Sequence, residues 1–361
     1  MSKKIKVGII GTRGIPNNYG GFERFVELLV KEHDTKNNIN FVIYGEKNQI
    51  EEYSDERFKY VILKTSKSNG MIYYIESLFK SMFQCDIIFC CGVSISFMSF
   101  LPRILGKKLV VNPDGCEWKR SRWSWIQRAI IKSFFLPTFI FSNKIIIDSQ
   151  SLEFDFSKLF KKKYFYIPYQ IPDSSFSGKE TINQLFESKG IDSLKSYNLI
   201  IARLEPENNI EEACQAFKLS EDKKPLIIIG KTDTNFYKSK LFKYNNKDKI
   251  YFFGGIYDQS ILNELRKNAS LYIHGHSVGG TNPSLIEALS VCEGKIICHK
   301  NKYNIEVAKD NVQYFNSVDK LRSLINDNII VKLKKNDWSD VRFNSKVVYE
   351  NYIRQFKEIS L

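Results

Sequence analysis

The feature that most constrains this chain is a strand-then-helix rhythm that runs, stops and starts again. Short apolar runs rich in Ile, Val and Phe occur at Lys6–Ile10, Phe41–Tyr44, Tyr60–Leu63, Ile87–Cys91, Lys108–Asn112, Ile145–Asp148 and Tyr164–Ile167. Amphipathic stretches such as Phe22–Glu32 lie between them. Around Pro168–Gly178 the pattern dissolves into Pro, Ser, Asp and Gly. It resumes with Leu199–Ala202, Pro225–Ile229, Ile250–Phe253, Leu271–His274 and Lys295–Cys298, with helical stretches at Ile210–Leu219 and Ser260–Asn268. Strands alternating with helices predict βαβ units and a parallel sheet, so two Rossmann-like, doubly wound α/β domains are expected, 1–170 and 171–361. The last helical stretch, Ser345–Ile359, is a candidate to pack back on the first domain. Ligands of such sheets bind outside the carboxyl ends of the strands, which directs attention to the loops that follow each run.

The strongest of these loops is His274-Gly-His276-Ser-Val-Gly279-Gly280-Thr281-Asn282-Pro283-Ser284-Leu-Ile-Glu287. Asn282 suits an N-cap and Pro283 the first helical position. Gly279, Gly280 and Thr281 then precede a helix N-terminus, where backbone amides and the macrodipole favour an anion. Glu287, one turn in, is placed to accept bonds from the hydroxyls of a ribose; the alternative is a solvated helix residue. Arg203 ends another apolar run, where a guanidinium can fork onto a diphosphate or form an ordinary surface ion pair. Asp114, in Asn112-Pro-Asp-Gly115, is either a group that meets an acceptor hydroxyl or donor sugar, or part of a common Asp-Gly turn.

After the first strand, Gly8, Gly11 and Gly14 do not have dinucleotide-fingerprint spacing, and Pro16 prevents an immediate helix. Gly20 and Gly21 instead open the Phe22–Glu32 helix, where a phosphate or sugar oxygen could approach the backbone; the alternative is a flexible turn between strand and helix. No metal-binding cluster is apparent among the four histidines; His274 and His276 read as polar contacts to a donor or as strand-end packing.

These stretches, GTRGIPNNYGGFE (11–23), NPDGCEWKR (112–120), ARLEPENN (202–209) and HGHSVGGTNPSLIEAL (274–289), occur in the expected order through nearly the whole chain. Together they resemble family-four glycosyltransferases of the GT-B fold, and more narrowly their bacterial rhamnosyltransferase branch in capsule and cell-wall polysaccharide synthesis. The resemblance implies two domains with an interdomain cleft and a nucleotide-sugar donor. It also implies transfer with retention of anomeric configuration, in which the leaving phosphate takes the acceptor proton, without a metal. By the same resemblance Glu287 is the ribose-binding second acid of the E-x7-E motif, Arg203 neutralises the diphosphate, and Gly20 and Gly21 lie near phosphates and acceptor. Asp114 stands where many relatives have a histidine beside the transferred sugar.

Two departures narrow the donor. Gly279 replaces the first acid, which in relatives contacts sugar hydroxyls, so a 6-deoxy sugar such as rhamnose, carried as dTDP-rhamnose, is compatible. Asn208 replaces the lysine that partners the arginine, leaving Lys231 as a possible helper.

The formal charge of +14 predicts an anionic partner. Basic and aromatic residues interleave between Arg103 and Lys132, and Lys119, Arg120, Arg122, Trp123, Trp125 and Arg128 are expected to face an anionic membrane surface, the alternative being that the aromatics are core of the first domain. RNA contact would use the same chemistry, but no nucleic-acid-binding motif supports it. Seven cysteines without ligand spacing suit reduced thiols. With no secretory signal or spanning segment in evidence, a cytoplasmic enzyme peripheral to the inner face of the cell membrane is expected, using a lipid-linked or polysaccharide acceptor. A nucleotide-sugar epimerase, an NAD-linked oxidoreductase and an inactive sugar-nucleotide-binding protein remain as alternatives.

Overall fold

A computed structural model describes residues 4–17, 20–47, 56–120, 123–171, 175–191, 196–245, 249–327 and 340–360. The chain divides into two units. The first comprises Met1–Lys119, Trp123–Gln170 and Val341–Leu361; the second comprises Arg120–Arg122 and Ile171–Asp340.

The first unit is built on strands β1 (Ile5–Ile10), β2 (Ile39–Gly45), β3 (Phe58–Ile62), β4 (Ile87–Cys91), β5 (Lys108–Asn112), β6 (Lys144–Ile147) and β7 (Tyr164–Tyr166). They form a parallel sheet in the order β3-β2-β1-β4-β5-β6-β7. Because helices cover both faces, the central strands are buried on both sides, which is why they read as continuous apolar runs. On one face lie α2 (Met71–Gln84) and α3 (Phe100–Ile104), whose Tyr73, Leu78, Met82 and Leu101 pack against Ile10, Ile88 and Val111. α4 (Trp125–Phe141) packs beside α3, with the Phe100 and Phe141 ring centroids 6.1 Å apart. On the other face α1 (Gly21–Lys31) meets the final helix, α11 (Ser345–Ser360), through Phe25–Tyr352 rings 5.0 Å apart. His33 Nδ1 also bonds the Tyr349 hydroxyl at 2.9 Å, so the last helix belongs to the first unit's core.

The second unit has strands β8 (Asn198–Ile201), β9 (Leu226–Ile229), β10 (Ile250–Gly254), β11 (Leu271–His274), β12 (Lys295–His299) and β13 (Gln313–Phe315). Their parallel order is β10-β9-β8-β11-β12-β13. Around them lie α5 (Lys179–Glu187), α6 (Ile210–Lys218), α7 (Gln259–Asn268), α8 (Pro283–Val291), α9 (Lys302–Ala308) and α10 (Val318–Asn326). The expected doubly wound α/β class is therefore present twice. β13 escaped the sequence reading because three residues, Gln-Tyr-Phe, give too short an apolar run to register.

In each sheet the strand order reverses once, between β1 and β4 and again between β8 and β11. At such a reversal neighbouring loops leave in opposite directions and open a crevice at the carboxyl edge. All seven cysteines are buried thiols. No helix among the described residues is long and apolar enough to cross a membrane.

Candidate active site

The second unit's reversal point gathers most of the predicted residues. β8 delivers Arg203, which is exposed, two residues beyond its end. β11 delivers the loop from Gly275 to Asn282. Asn208 holds the two loops together: its Nδ2 donates to the Arg203 carbonyl at 2.7 Å, and its Oδ1 lies 2.8 Å from His276 Nδ1. Asn209, in the left-handed conformation, donates from Nδ2 to the Gly275 carbonyl at 2.6 Å. The Ser277 amide donates to the Glu207 carbonyl at 2.9 Å. Gly275 is obligatory here, since a Cβ would stand 2.0 Å from the Asn208 carbonyl oxygen. Asn208 therefore acts as a clamp between the loops.

Within this clamp both histidines are held neutral. Burial, with the Arg266 charge beside it, pushes His274 down to about 3. Burial also holds His276 far below its ordinary value, reinforced by His274, Arg203 and Arg120. Since Asn208 Oδ1 can only accept, the His276 proton sits on Nδ1 and its Nε2 carries a lone pair. Nε2 faces Gly279, 3.4 Å from where a Cβ would project. Gly279 has φ +114°, a region closed to most side chains. An acidic side chain at this position would be strained by the backbone.

The α8 N-terminus is capped as its sequence predicts, Asn282 Oδ1 accepting from the Ser284 amide at 2.9 Å with Pro283 next. Ser284 Oγ fastens this end to the sheet, donating to the Ile201 carbonyl at 3.2 Å and meeting the Tyr272 hydroxyl at 2.8 Å. Gly280 and Thr281 are buried just ahead of the cap. Lys231 follows β9 and lies exposed over the Tyr257 ring, 5.8 Å from its centroid. The loop after β9 is tied to that after β8 by Thr234 Oγ1, which donates to the Leu204 carbonyl at 3.1 Å.

Glu287 is buried, and its Oε2 accepts from Arg266 at 2.5 Å. Arg266 is 1% exposed, the largest fully buried side chain among the described residues, and also reaches Ser284 Oγ at 3.4 Å. Sequence reasoning missed this arginine. The signal was present: Leu262, Leu265, Arg266 and Ala269 follow the i, i+3, i+4, i+7 spacing of a buried helix stripe.

Gly20, Gly21 and Asp114 belong to the first unit. Asp114 follows β5 at φ +63°, its amide donating to Asn112 Oδ1 at 3.0 Å. Burial raises the nearby Tyr169 hydroxyl well above its ordinary value, and the charges of Asp114 and Asp148 raise it further. Gly20 caps α1 in an extended conformation, and a Cβ on Gly21 would meet open space; the fold itself requires glycine at neither position. It requires it at Gly11 (φ +95°), where a Cβ would stand 2.2 Å from the Cys91 carbonyl oxygen. Asn18 and Tyr19 of this loop lie outside the described residues.

The expected membrane-facing residues separate. Lys119 pairs with Asp155, Arg120 pairs with buried Glu207 at 3.1 Å, and the Trp123 indole N–H donates to Glu117 at 3.0 Å. Trp125 and Arg128 are exposed, and Arg122 lies outside the described residues. Among the described residues no group of three or more His, Cys, Asp or Glu side chains is placed to hold a metal ion.

Comparison with known proteins matches residues 4–171 to a family described as a domain of unknown function (DUF1972). Residues 181–338 match the family described as glycosyl transferases group 1. No curated protein matches the chain. Among solved structures it is similar to Anabaena Alr3699/HepE in complex with UDP, with TM-score 0.71 and 12% identity, covering 98% of this chain and 100% of that one. It is also similar to the Burkholderia xenovorans α,α-trehalose-phosphate synthase (UDP-forming) in complex with glucose-6-phosphate, with TM-score 0.71 and 12% identity over 97% and 99% of the chains. A glycosyltransferase from Rickettsia africae ESF-5 gives TM-score 0.68 and 15% identity over 99% of each chain. The likeness establishes the fold, the two-unit α/β architecture of GT-B glycosyltransferases.

Proposed function

From a chain that carries a glycosyl transferases group 1 domain at residues 181–338 in a GT-B fold, we propose that this protein transfers a sugar, L-rhamnose from dTDP-rhamnose, with retention to a lipid-linked saccharide or growing polysaccharide of the capsule or cell wall. The observation that carries the reading is the second unit's reversal point, where Arg203 stands beside a neutral His276 and a capped helix N-terminus. That combination is suited to a diphosphate: fixed positive charge, helix-end dipole, and no imidazolium to bind it too tightly in the ground state.

In this reading the diphosphate lies against Arg203 and the Gly279–Asn282 segment, with Lys231 assisting. Glu287, fixed by Arg266, accepts from the ribose, and His276 Nε2 accepts from a hydroxyl of the donor sugar. The bond between the anomeric carbon and the diphosphate oxygen breaks while the acceptor oxygen bonds to that carbon on the same face. The acceptor proton passes to the departing diphosphate, giving a glycoside and a nucleoside diphosphate without a protein nucleophile or a metal. Developing negative charge is met by Arg203 and the helix-end amides. Asp114 orients the acceptor hydroxyl or donor sugar. Absence of an acid at Gly279 supports a 6-deoxy donor, and the excess positive charge supports peripheral attachment to the inner face of the cell membrane.

A donor screen across dTDP-rhamnose and UDP- and GDP-sugars, with a lipid-diphosphate saccharide acceptor and anomeric assignment by NMR, tests the proposal. Transfer of rhamnose with retention is expected. Transfer from another donor replaces the sugar, and tight donor binding without turnover replaces the enzyme with a sugar-nucleotide-binding protein.

A further inference from the structure

One side of the first unit exposes more apolar side chain than its own packing uses. α4 is apolar almost all round, yet its buried residues are only Phe135, Thr138 and Phe139, all in its second half. Its first turns stand out from the unit, with Trp125 79% exposed, Ile126 52% and Ile130 49%. Beside it runs a groove of about 400 Å³, floored by Trp118, Phe139 and Phe156 and walled by Ala129 and Leu136 of α4. The turns at 150–163 that form its other wall raise Phe154, 82% exposed, and Leu159, 87% exposed. On the opposite flank α3, which packs against α4, ends in exposed Ile104 and Leu105. A soluble surface rarely carries so much contiguous apolar area without a partner for it.

The charges around this face have one sign to spare. Arg103, Lys132, Lys158 and Lys162 are exposed there. The acids on the same segments are already matched, Glu153 to Lys161 at 3.5 Å and Asp155 to Lys119. A second copy of this chain would set that surplus of cations against itself, whereas an anionic lipid surface complements both the apolar ridge and the charge.

We propose that this face docks on an anionic bilayer, with the first turns of α4 and the Phe154 and Leu159 lips entering the headgroup–acyl boundary and the basic residues meeting lipid phosphates. The inference rests on the peripheral membrane attachment proposed above and moves its centre. Within 117–128, Trp118 is buried and Lys119 and Arg120 are held in ion pairs, so the contact shifts to α4 and the 150–163 turns. α4 lies in the interface rather than across it, since its 17 residues include Gln127, Arg128 and Lys132 and no helix among the described residues is long and apolar enough to span.

The experiment is cosedimentation of the full chain with phosphatidylglycerol vesicles and with phosphatidylcholine vesicles. Phe154→Ser/Leu159→Ser and Lys132→Glu/Lys162→Glu are run beside the wild type, with transfer to a water-soluble acceptor measured in parallel. Binding to phosphatidylglycerol alone is expected, weakened tenfold or more by either double substitution, with transfer to the soluble acceptor and the melting temperature unchanged. No binding to phosphatidylglycerol vesicles overturns the proposal, as does equal binding by wild type and both variants. Concentration-dependent dimerisation abolished by the same substitutions overturns it in favour of self-association. Vesicle binding without any transfer leaves the docking face standing and removes the enzymatic reading.

Discussion

The two reversal points share a strand order but not a use. In the first unit the start of the loop after β1 is held by its own unit: Gly11 lies against the Cys91 carbonyl, the Tyr73 hydroxyl donates to the Thr12 carbonyl, and buried Glu23 accepts from the Arg13 amide at 2.8 Å. In the second unit the crevice after β8 and β11 carries exposed Arg203, neutral histidines and a helix N-terminus, with exposed Lys231 on the neighbouring β9 loop. One topology thus provides an acid-bearing loop bonded to its own unit in one case and a cationic loop in the other. Strand order locates a crevice; the residues at its edge decide what it can bind.

Substitution of one glycine in each unit tests that contrast most severely. Gly11→Ala drives a Cβ into backbone at 2.2 Å and requires a positive φ, so a loss of about 3–5 kcal/mol in stability is expected by urea denaturation. Gly279→Ala meets only the His276 side chain at 3.4 Å and costs about 1–3 kcal/mol of backbone strain. Equal losses would show the two loops to be equally packed.

Beneath the second unit's crevice, Arg266→Met leaves the Glu287 carboxylate buried without its ion partner, which costs about 3–5 kcal/mol. Pairing it with Glu287→Met restores most of that stability while donor affinity, followed by calorimetry, stays low. If the double variant binds donor like the wild type, the ion pair serves the fold alone.

Arg203 carries the opposite expectation, because its side chain is exposed. Arg203→Ala is expected to leave the melting temperature unchanged and to reduce transfer about 10²–10³-fold, read from initial rates at saturating donor. Unaltered turnover would take the guanidinium out of the site.

The smallest effect concerns protons. His274 in the folded chain is depressed to about 3 by burial and by Arg266, whereas unfolded it titrates near 6.5. Above that value the group contributes no pH dependence. As pH falls below it, the unfolded chain takes up a proton that the folded chain refuses, and stability declines by at most about 1.4 kcal/mol per pH unit. Denaturation at pH 7.5 and pH 5 should show the decline, and His274→Gln should make it shallower; an unchanged slope would mean that the imidazole is protonated in the folded state.

Much of the fold was legible because parallel strands buried on both faces leave apolar runs, and the α8 start because an N-cap and Pro act on the next few backbone groups. The candidate site was legible in part. Arg203 and the 274–282 segment lie where the strand-end rule placed them. The Arg266–Glu287 pair was not read, since its members are separated by 21 residues and nothing local marks Glu287 as paired. Asn208 read as a lost cation, and its clamp appears only when two loops meet. The aromatic segment 118–125 read as one surface, but Trp118 packs against Phe135, with ring centroids 4.5 Å apart, while Trp125 stands in the open.

By itself the sequence determined the strands, the capped start of α8, and the doubly wound class, because each depends on interactions spanning a few residues. Tertiary structure alone decided which charges are matched, which histidines stay neutral, which tryptophans face outward, and that Gly279 occupies a conformation an acidic side chain would strain. Those properties depend on distances between segments far apart in the chain and on the water that packing excludes, and local periodicity carries neither.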